Sequence, residues 1–210
     1  MIRRSEAAGV VFVVVSVLLG AYLTHRGASH TGELRLDIWW SHHRPSWLAE
    51  PSKVIAHYGA GPLAYLPVLA LLLVVWRKGG IPAALATALV FLAGRISVTI
   101  AKAIYQRPRP PADVVHALVP VTDRASMPSG HTALAAAFAG ALVYAVHRSG
   151  RSVIPAVVVG VLLVVAYAVS RMVVGAHYLG DVTVGALLPV GVMLLVGGLL
   201  DRRLDRPARR

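Results

Sequence analysis

The chain has 210 residues, of which 57% are hydrophobic and only 14% are charged, with a mean hydropathy of +0.68. A soluble domain carries about a quarter charged residues, so this composition excludes an ordinary water-soluble domain and predicts an integral membrane protein. The absence of cysteine excludes disulfides, thiolate chemistry and cysteine-based metal sites. The formal charge of +12 suggests nucleic acid at first sight, but its distribution argues against that partner.

Six apolar runs are suited to cross a hydrocarbon core ~30 Å thick, which takes roughly 17–25 residues each. They lie at 7–23, 54–76, 81–104, 132–147, 153–174 and 181–200. The fourth run is short and needs Gly130 and His131 as its first turn. We therefore predict an all-α fold, a polytopic membrane helical bundle with about six transmembrane helices, forming a single domain over residues 1–210.

The basic residues indicate how these spans are oriented. With the N-terminus inside, both cytoplasmic loops are short and basic, as the positive-inside rule requires. The residues on that side are Arg3, Arg4, Arg77, Lys78, Arg148, Arg151, Arg202, Arg203, Arg206, Arg209 and Arg210. We predict a multi-pass protein of the cell (inner or plasma) membrane with both termini cytoplasmic. The basic tail 201–210 is then cytoplasmic, where it can contact anionic lipid of the bilayer, and no nucleic acid is needed to explain the charge.

The first run follows a basic pair and has some features of a signal peptide. No clear small-residue cleavage site follows it, so we expect a retained anchor, with cleavage as the alternative. The segments expected outside the membrane are 24–53, 105–128 and 175–180. In the first of them, Trp39, Trp40 and Trp47 are typical of a segment lying along the lipid headgroups. The adjacent His42 and His43 fit either an interfacial position or a metal site.

Two short motifs fall on the predicted outer face. Lys102 ends a span, and Arg109 follows in a turn stiffened by the prolines around it. Ser129, Gly130 and His131 directly precede an apolar helix. Ser129 is a favourable N-cap, and Gly130 lets the backbone approach an anion held by the free N–H groups and the helix dipole. An ordinary capped helix start explains the serine but not the histidine.

A third motif, residues 170–181, places three ionisable side chains between two apolar runs. If this stretch is helical, His177 and Asp181 share one face and touch. A carboxylate that accepts the Nδ1–H of an imidazole leaves Nε2 free as a nucleophile or base, and Arg171 is suited to hold an anion. Taken alone, the stretch equally fits a cluster in which Arg171 reaches the interface and Asp181 caps the next helix.

Together the motifs provide three cations, a backbone anion site and two histidines. This inventory suits phosphoryl transfer through a phosphohistidine, where catalysis is mostly positioning and charge stabilisation. No carboxylate cluster is available for magnesium, so we expect no metal and no cofactor. Lys102, Arg109 and Arg171 would do the work of that ion.

The sequence resembles the type-2 phosphatidic acid phosphatase (lipid phosphate phosphatase) superfamily, whose motifs read K-x6-R-P, P-S-G-H and S-R-x5-H-x3-D. The matching residues are Lys102, Arg109, Pro110, Pro128, Ser129, Gly130, His131, Ser170, Arg171, His177 and Asp181. Order and spacing agree, and the resemblance covers residues 102–181 and the six-span layout. A second Arg-Pro pair, Arg107-Pro108, does not fit the spacing and is set aside.

The resemblance implies a metal-independent membrane phosphatase acting on a lipid-linked phosphate or diphosphate at the outer face. Substrates of this kind include undecaprenyl-type diphosphate, phosphatidic acid and phosphatidylglycerol phosphate. His177 would attack phosphorus, Asp181 would orient it, and His131 would protonate the leaving group and then activate water. The groups implied to hold the phosphoryl oxygens are Lys102, Arg109, Ser129, Gly130 and Arg171. Vanadate is expected to inhibit.

Several alternatives stay open from the sequence. The chain fits a phosphotransferase that uses another acceptor, or a non-catalytic phospholipid-binding or transport protein with the same anion site. Arg95, on nearly the same helix face as Lys102, suits substrate contact or a structural pairing. The loop residues Asp113, His116, Asp123 and Arg124 are either solvated or involved in headgroup selection. The oligomeric state is not indicated.

Overall fold

The computed structural model describes residues 4–121 and 123–204, so Arg3 and the tail residues 205–210 lie outside the described part. The described residues form eight α-helices and a 3-10 helix, Pro62–Tyr65, and no strand. The helices are α1 (Arg4–Arg26), α2 (Ala28–Thr31), α3 (Glu33–His43), α4 (Ser46–Tyr58), α5 (Leu66–Tyr105), α6 (Gly130–Arg148), α7 (Ile154–Val173) and α8 (Leu179–Leu204). The predicted all-α fold is confirmed.

Helix α5 accounts for two of the predicted spans. Its 40 residues would extend about 60 Å as a straight helix, twice the hydrocarbon thickness. The helix breaks at Gly80, whose φ of 74° is a conformation that glycine adopts without steric cost. The rings of Tyr65 and Phe91 lie 6.3 Å apart, which is possible only if the chain folds back at this break. Because this break divides α5 in two, the five long apolar helices of the described residues are consistent with the six predicted spans.

The second span begins later than the sequence suggested. Residue 54, its predicted start, lies within α4, which ends at Tyr58 because a segment of glycines followed by Pro62 interrupts the helix. Pro62 and Pro67 both stand at the starts of helices, where a missing N–H is tolerated, so neither bends the span from within.

Small residues allow α1 to pack closely against α8. A side chain at Gly9 would approach the carbonyl oxygen of Gly191 to 2.9 Å, and one at Gly191 would approach Gly9 as closely. Close approach through glycines is typical of membrane helix pairs, because little hydrophobic force acts between helices in lipid. The first predicted span is thus an integral part of the bundle.

The helices α3 and α4 cover one end of the bundle. Trp39 and Trp47 are exposed there, in agreement with an interfacial segment. Arg44 fastens this cover, because its Nη1 donates to the carbonyl of Val173 at 3.0 Å and its Nη2 donates to the carbonyl of His116. Beneath the cover, the end of α5, the start of α6, the end of α7 and the start of α8 meet the loop 106–129.

Candidate active site

The ends of four helices bring the three motifs together. Lys102 lies in the last turn of α5, Gly130 begins α6, Arg171 lies in the last turn of α7, and Asp181 lies in the first turn of α8. A cavity of about 410 Å³ opens between them. Its walls include Arg95, Lys102, Arg109, Gly130, His131, Arg171 and His177. Six of the eight predicted site residues therefore line one cavity, and the other two, Ser129 and Asp181, are buried beside it.

His177 is buried in the turn between α7 and α8. The turn depends on Gly175, whose φ is 72° and where a side chain would approach Val115 to 3.0 Å. Because α8 begins at Leu179, the two residues expected to share one helix face do not belong to one helix. The turn brings them together instead, with Nδ1 of His177 lying 3.6 Å from Oδ2 of Asp181.

The other ring nitrogen of His177 faces the cationic groups. Its Nε2 lies 3.0 Å from Nη1 of Arg109, which can only donate, so Nε2 accepts and Nδ1 carries the proton towards Asp181. Burial lowers the pKa of His177 to about 4; the hydrogen bond with Asp181 opposes this shift, and the charges of Arg109 and Arg171 add to it. At neutral pH the imidazole is therefore uncharged, and its Nε2 lone pair lies at the cavity wall, where it accepts the hydrogen bond of Arg109.

The carboxylate of Asp181 is held by three donors besides the imidazole. Its Oδ1 accepts a hydrogen bond from Nη1 of Arg107 at 2.7 Å. Its Oδ2 accepts from the hydroxyl of Ser126 and from the backbone N–H of Tyr178, the latter at 2.9 Å. These contacts prevent rotation of the carboxylate and keep Oδ2 beside His177.

Arg171 brings unpaired donors to the cavity. The residue is only 3% exposed, yet its Nε and Nη1 find no hydrogen-bond acceptor within the described residues. A buried unsatisfied donor costs about 1–3 kcal/mol, and more when charged. Such a cost persists at sites that receive a ligand, and a guanidinium matches the oxygens of an anion such as phosphate.

Lys102 and Arg109 share a counter-ion, Asp123. The Nζ of Lys102 pairs with Oδ2 of this carboxylate, and Nη2 of Arg109 lies 3.5 Å from the same oxygen. Arg109 also donates to the carbonyl oxygens of Asp123, at 2.6 Å, and Ala176, at 2.7 Å. Burial raises the pKa of Asp123, but hydrogen bonds from Lys102 and the backbone N–H of Ala125 outweigh it and leave the pKa below its usual range. An ionised carboxylate thus lies between two cations that are suited to phosphoryl oxygens.

His131 and Arg95 contact the backbone around the first turn of α6. Nε2 of His131 lies 3.1 Å from the carbonyl oxygen of Ala56, and Nη1 of Arg95 donates to the carbonyl of Gly130 at 3.1 Å. Arg95 also lines the cavity, so it has a structural hydrogen bond and is at the same time placed where it can contact a substrate, which were the two alternatives for this residue. His57, near the end of α4, is exposed and lines the same cavity.

Ser129 occupies the expected N-cap position of α6, but its side chain makes different contacts from those of a capping serine. It precedes α6, but its hydroxyl makes no capping hydrogen bond to the described residues and accepts instead from the Thr132 hydroxyl at 3.2 Å. Its backbone N–H donates to the carbonyl of Asp181 at 2.9 Å. A side chain at Gly185 would approach the carbonyl oxygen of Ser129 to 2.9 Å. The contacts of Ser129 therefore hold α6 against α8, and the next two residues of the motif, Gly130 and His131, reach the cavity.

Sequence reasoning missed three residues that contact the site: Glu33, Ser126 and Arg107. Arg107 was set aside because of its spacing, and no motif or spacing in the sequence indicated a role for Ser126. For Glu33 the available signal was its spacing from Asp37, since two carboxylates four residues apart face one side of a tryptophan-containing, interfacial helix.

A second cavity, about 630 Å³, lies between α6, α7 and α8. Its lining is almost entirely apolar and includes none of the predicted site residues. Among residues 4–121 and 123–204, no group of three histidine or acidic side chains is arranged to hold a metal ion. The contacts of His42 and His43 fit the interfacial alternative, because each Nδ1 lies 2.8 Å from a carbonyl oxygen of α3.

The fold and the site define a membrane protein with a buried histidine at a cationic cavity, and a comparison of sequences identifies its family. The model of the PAP2 superfamily matches residues 82–203, more than half of the chain. The chain therefore belongs to the PAP2 superfamily, and this membership supports a lipid phosphatase.

A solved structure has the same fold. It is the crystal structure of the first transmembrane PAP2-type phosphatidylglycerolphosphate phosphatase from Bacillus subtilis, with a TM-score of 0.75. The match covers 94% of this chain and 98% of the other, at 24% sequence identity. No curated protein matches the sequence.

Proposed function

We propose that this protein hydrolyses a lipid-linked phosphate or diphosphate at the outer face of the membrane, through a phosphohistidine formed on His177. The observation that carries the proposal is the arrangement of the imidazole, whose Nε2 faces a cationic cavity while Nδ1 faces Asp181. Membership of the PAP2 superfamily supports the same reaction class.

In the first step, Nε2 of His177 forms a bond to phosphorus as the bond to the leaving oxygen breaks. The ring keeps its Nδ1 proton and becomes positively charged, and Asp181 stabilises this charge. Lys102, Arg109 and Arg171 hold the phosphoryl oxygens, with the backbone of Gly130, and balance the charge that develops on them. His131 protonates the leaving oxygen.

In the second step, water replaces the imidazole on phosphorus. His131, now neutral, accepts a proton from the attacking water, while the electrons of the breaking N–P bond return to His177. The products are inorganic phosphate and the dephosphorylated lipid, or a lipid monophosphate where the substrate is a diphosphate. The protein's own cations supply the charge stabilisation, so this mechanism is metal-independent.

The surroundings of the cavity favour a lipid substrate over a soluble phosphate ester. The cavity reaches the end of α4 through Ala56, His57 and Ala60, and α4 lies among exposed tryptophans at the membrane interface. The gap between α4 and α5, around Gly59 and Gly61, is therefore the proposed entrance for a substrate whose tail stays in the bilayer.

The decisive experiment measures phosphate release by the purified protein, with a metal chelator present. Polyprenyl diphosphate, phosphatidic acid and phosphatidylglycerol phosphate are compared by kcat/KM, and labelled phosphate is trapped by rapid acid-free denaturation because phosphohistidine is acid-labile. We expect turnover, inhibition by vanadate and label on His177. His131→Ala should slow turnover strongly yet still yield label. Absence of phosphate release from all three lipids would contradict the proposal.

The proposed orientation has a separate test. Basic residues flank the turns at the end opposite the site, near Gly80 and between α6 and α7, which favours a cytoplasmic position for that end. Because the natural chain has no cysteine, Ser149→Cys and Ser46→Cys create unique thiols at opposite ends. In intact cells, a membrane-impermeant thiol reagent should label only the second variant. Labelling of the first alone would reverse the orientation.

A further inference from the structure

A chain of buried charged groups runs from α3 to the side of His177 that faces away from the cavity. The side chain of Arg107 is 2% exposed and lies between two carboxylates. Its Nη1 is 2.7 Å from Oδ1 of Asp181, and its Nη2 pairs with Oε2 of Glu33. The guanidinium also lies 4.6 Å from the centre of the Tyr178 ring. Arg107 is not among the described residues that line the cavity, so it contacts the partner of the histidine and not a bound phosphate.

Glu33 connects this chain to the start of α8. Its Oε1 accepts a hydrogen bond from the backbone N–H of Gly180 at 2.8 Å, where a helix N-terminus has unsatisfied donors and favours a negative charge. A side chain at Gly180 would lie 2.8 Å from this oxygen and 2.1 Å from Leu23, so the approach requires glycine. Oε2 of Glu33 also accepts from the Thr31 hydroxyl at 2.8 Å. Glu33 therefore fixes both Arg107 and the helical turn that carries Asp181.

The loop between α5 and α6 provides two hydrogen-bond donors to the carboxylate of Asp181. Ser126 donates its backbone N–H to the carbonyl of Arg107 at 2.7 Å, and an isolated bridge joins Pro108 to Ala125. The two loop segments thus run side by side, so that one donor reaches each oxygen of Asp181.

The charges within this chain are well defined. Burial lowers the pKa of Arg107, but the hydrogen bonds and charges of Glu33 and Asp181 outweigh burial and raise it above its ordinary value, so the guanidinium stays charged. Burial, with the charges of Asp181 and Glu33, raises the pKa of Asp37 to about 8, so this neighbour is mostly neutral at pH 7. Glu33 is the carboxylate of α3 that pairs with Arg107.

We propose that Glu33 and Arg107 are positioning residues for the nucleophile: Glu33 holds Arg107 and the first turn of α8, and Arg107 holds the Asp181 carboxylate against His177. This role rests on the proposed function, in which His177 attacks phosphorus. It makes α3 part of the catalytic machinery, although α3 lies outside the segment that matches the PAP2 superfamily.

The first test separates positioning from substrate binding. Arg107→Met and Glu33→Gln are purified and assayed with the best lipid phosphate, beside the control Glu50→Gln. Glu50 is an exposed carboxylate on α4 that pairs with Lys53. Loss of a group that orients a catalytic side chain costs about 10–100-fold. We expect a loss of this size in kcat for both variants, KM within about twofold of wild type, and unchanged kinetics for the control. A kcat within twofold of wild type in Glu33→Gln would overturn the proposal.

The second test uses the protonation of His177, which a merely structural role does not move. Removing the positive charge of Arg107 should raise the pH at which His177 protonates, and removing the negative charge of Glu33 should lower it. The other ionisable groups that face this region are unchanged in both variants. They are Asp37, Lys102, Arg109, Asp123, His131, Arg171, Tyr178 and Asp181.

Nitrogen-15 shifts of the His177 ring report this titration without substrate. If the pH at which His177 protonates moves in opposite directions in the two variants, the role is supported. If that pH does not move, or moves in the same direction in both, the role is overturned. If Arg107→Met fails to fold, Glu33→Gln alone still gives a downward shift or overturns the role. Wild-type protein that releases no phosphate contradicts the proposed function. If the wild type is active but the pH at which His177 protonates is unchanged in the variants, only the positioning role is contradicted.

Discussion

Two clusters of charged side chains lie at opposite ends of the helical bundle, and they differ in how far their charges are paired. At the end away from the cavity, Arg202 lies 2.9 Å from Glu6, and Asp201 lies 3.3 Å from Arg148 and 3.4 Å from His147. Basic and acidic groups alternate there and join α1, α6 and α8.

The cavity end holds an excess of cations instead. Arg95, Lys102, Arg109 and Arg171 all line one cavity, with Asp123 as the acidic residue beside them. Arg171 keeps two donors without a partner in the described part of the chain. Paired charges in a buried setting hold helices together, whereas unpaired charge is retained at a cost and marks a place for an anion. The contrast predicts that changes at the two ends separate activity from stability.

The largest effect is expected from His177→Ala. Loss of the nucleophile should reduce turnover by about 10⁴-fold or more and abolish labelled phosphoenzyme, since the oxyanion-binding groups alone cannot form the intermediate. Phosphate release and label trapping measure both quantities, and the thermal unfolding midpoint checks the fold. Substantial activity in this variant would disprove the assignment of the nucleophile.

Arg171→Leu should be the next most damaging change. Removing one preorganised group that stabilises transition-state charge costs about 10²–10³-fold in kcat. The same change removes a buried charge with unpaired donors, so the unfolding midpoint should stay the same or rise. A fall in the midpoint together with the activity would mean that Arg171 belongs with the paired, structural charges.

We expect kcat/KM to decrease at both low and high pH. His177 must be neutral to attack, so the rate should be lost as the pH falls through about 4, by about tenfold for each unit below it. His131 must be protonated in the first step, which sets the limb at higher pH. A rate that is flat between pH 4 and 10 would exclude the limb assigned to His131, and a rate that stays unchanged below pH 4 would exclude the limb assigned to His177.

Asp201→Asn tests the opposite end. Removing one partner from a buried ion pair destabilises by about 3–5 kcal/mol, and less where the site is partly solvated, as here. The variant should therefore unfold at lower temperature, while the kcat/KM of the folded fraction stays at the wild-type value. A selective loss of kcat would couple this end to the chemistry and remove the distinction drawn between the two clusters.

The two ends also differ in how well the sequence predicted them. Apolar runs fix the spans because a hydrocarbon core demands about 20 apolar residues, and motif spacing led to Lys102, Arg109 and His177. The apolar pattern alone did not show where α5 begins or that it folds back at Gly80, because both features depend on a few local glycines and prolines. Arg107 was not recognised, because pairing within a loop decides which of two nearby arginines faces the cavity. That pairing is a tertiary contact, and its partner Glu33 lies far away in the sequence.

The smallest effect is expected from Asp123→Asn. This carboxylate neutralises Lys102 and Arg109, so a phosphoryl group must compete with it for the same two cations. Because Asp123 is 52% exposed, solvent weakens these pairs, and we expect only a few-fold decrease in KM and in the inhibition constant of inorganic phosphate. Little change in kcat is expected, because His177 and Asp181 keep their contacts. An increase in KM would instead mean that Asp123 helps to hold the two cations in place for the substrate.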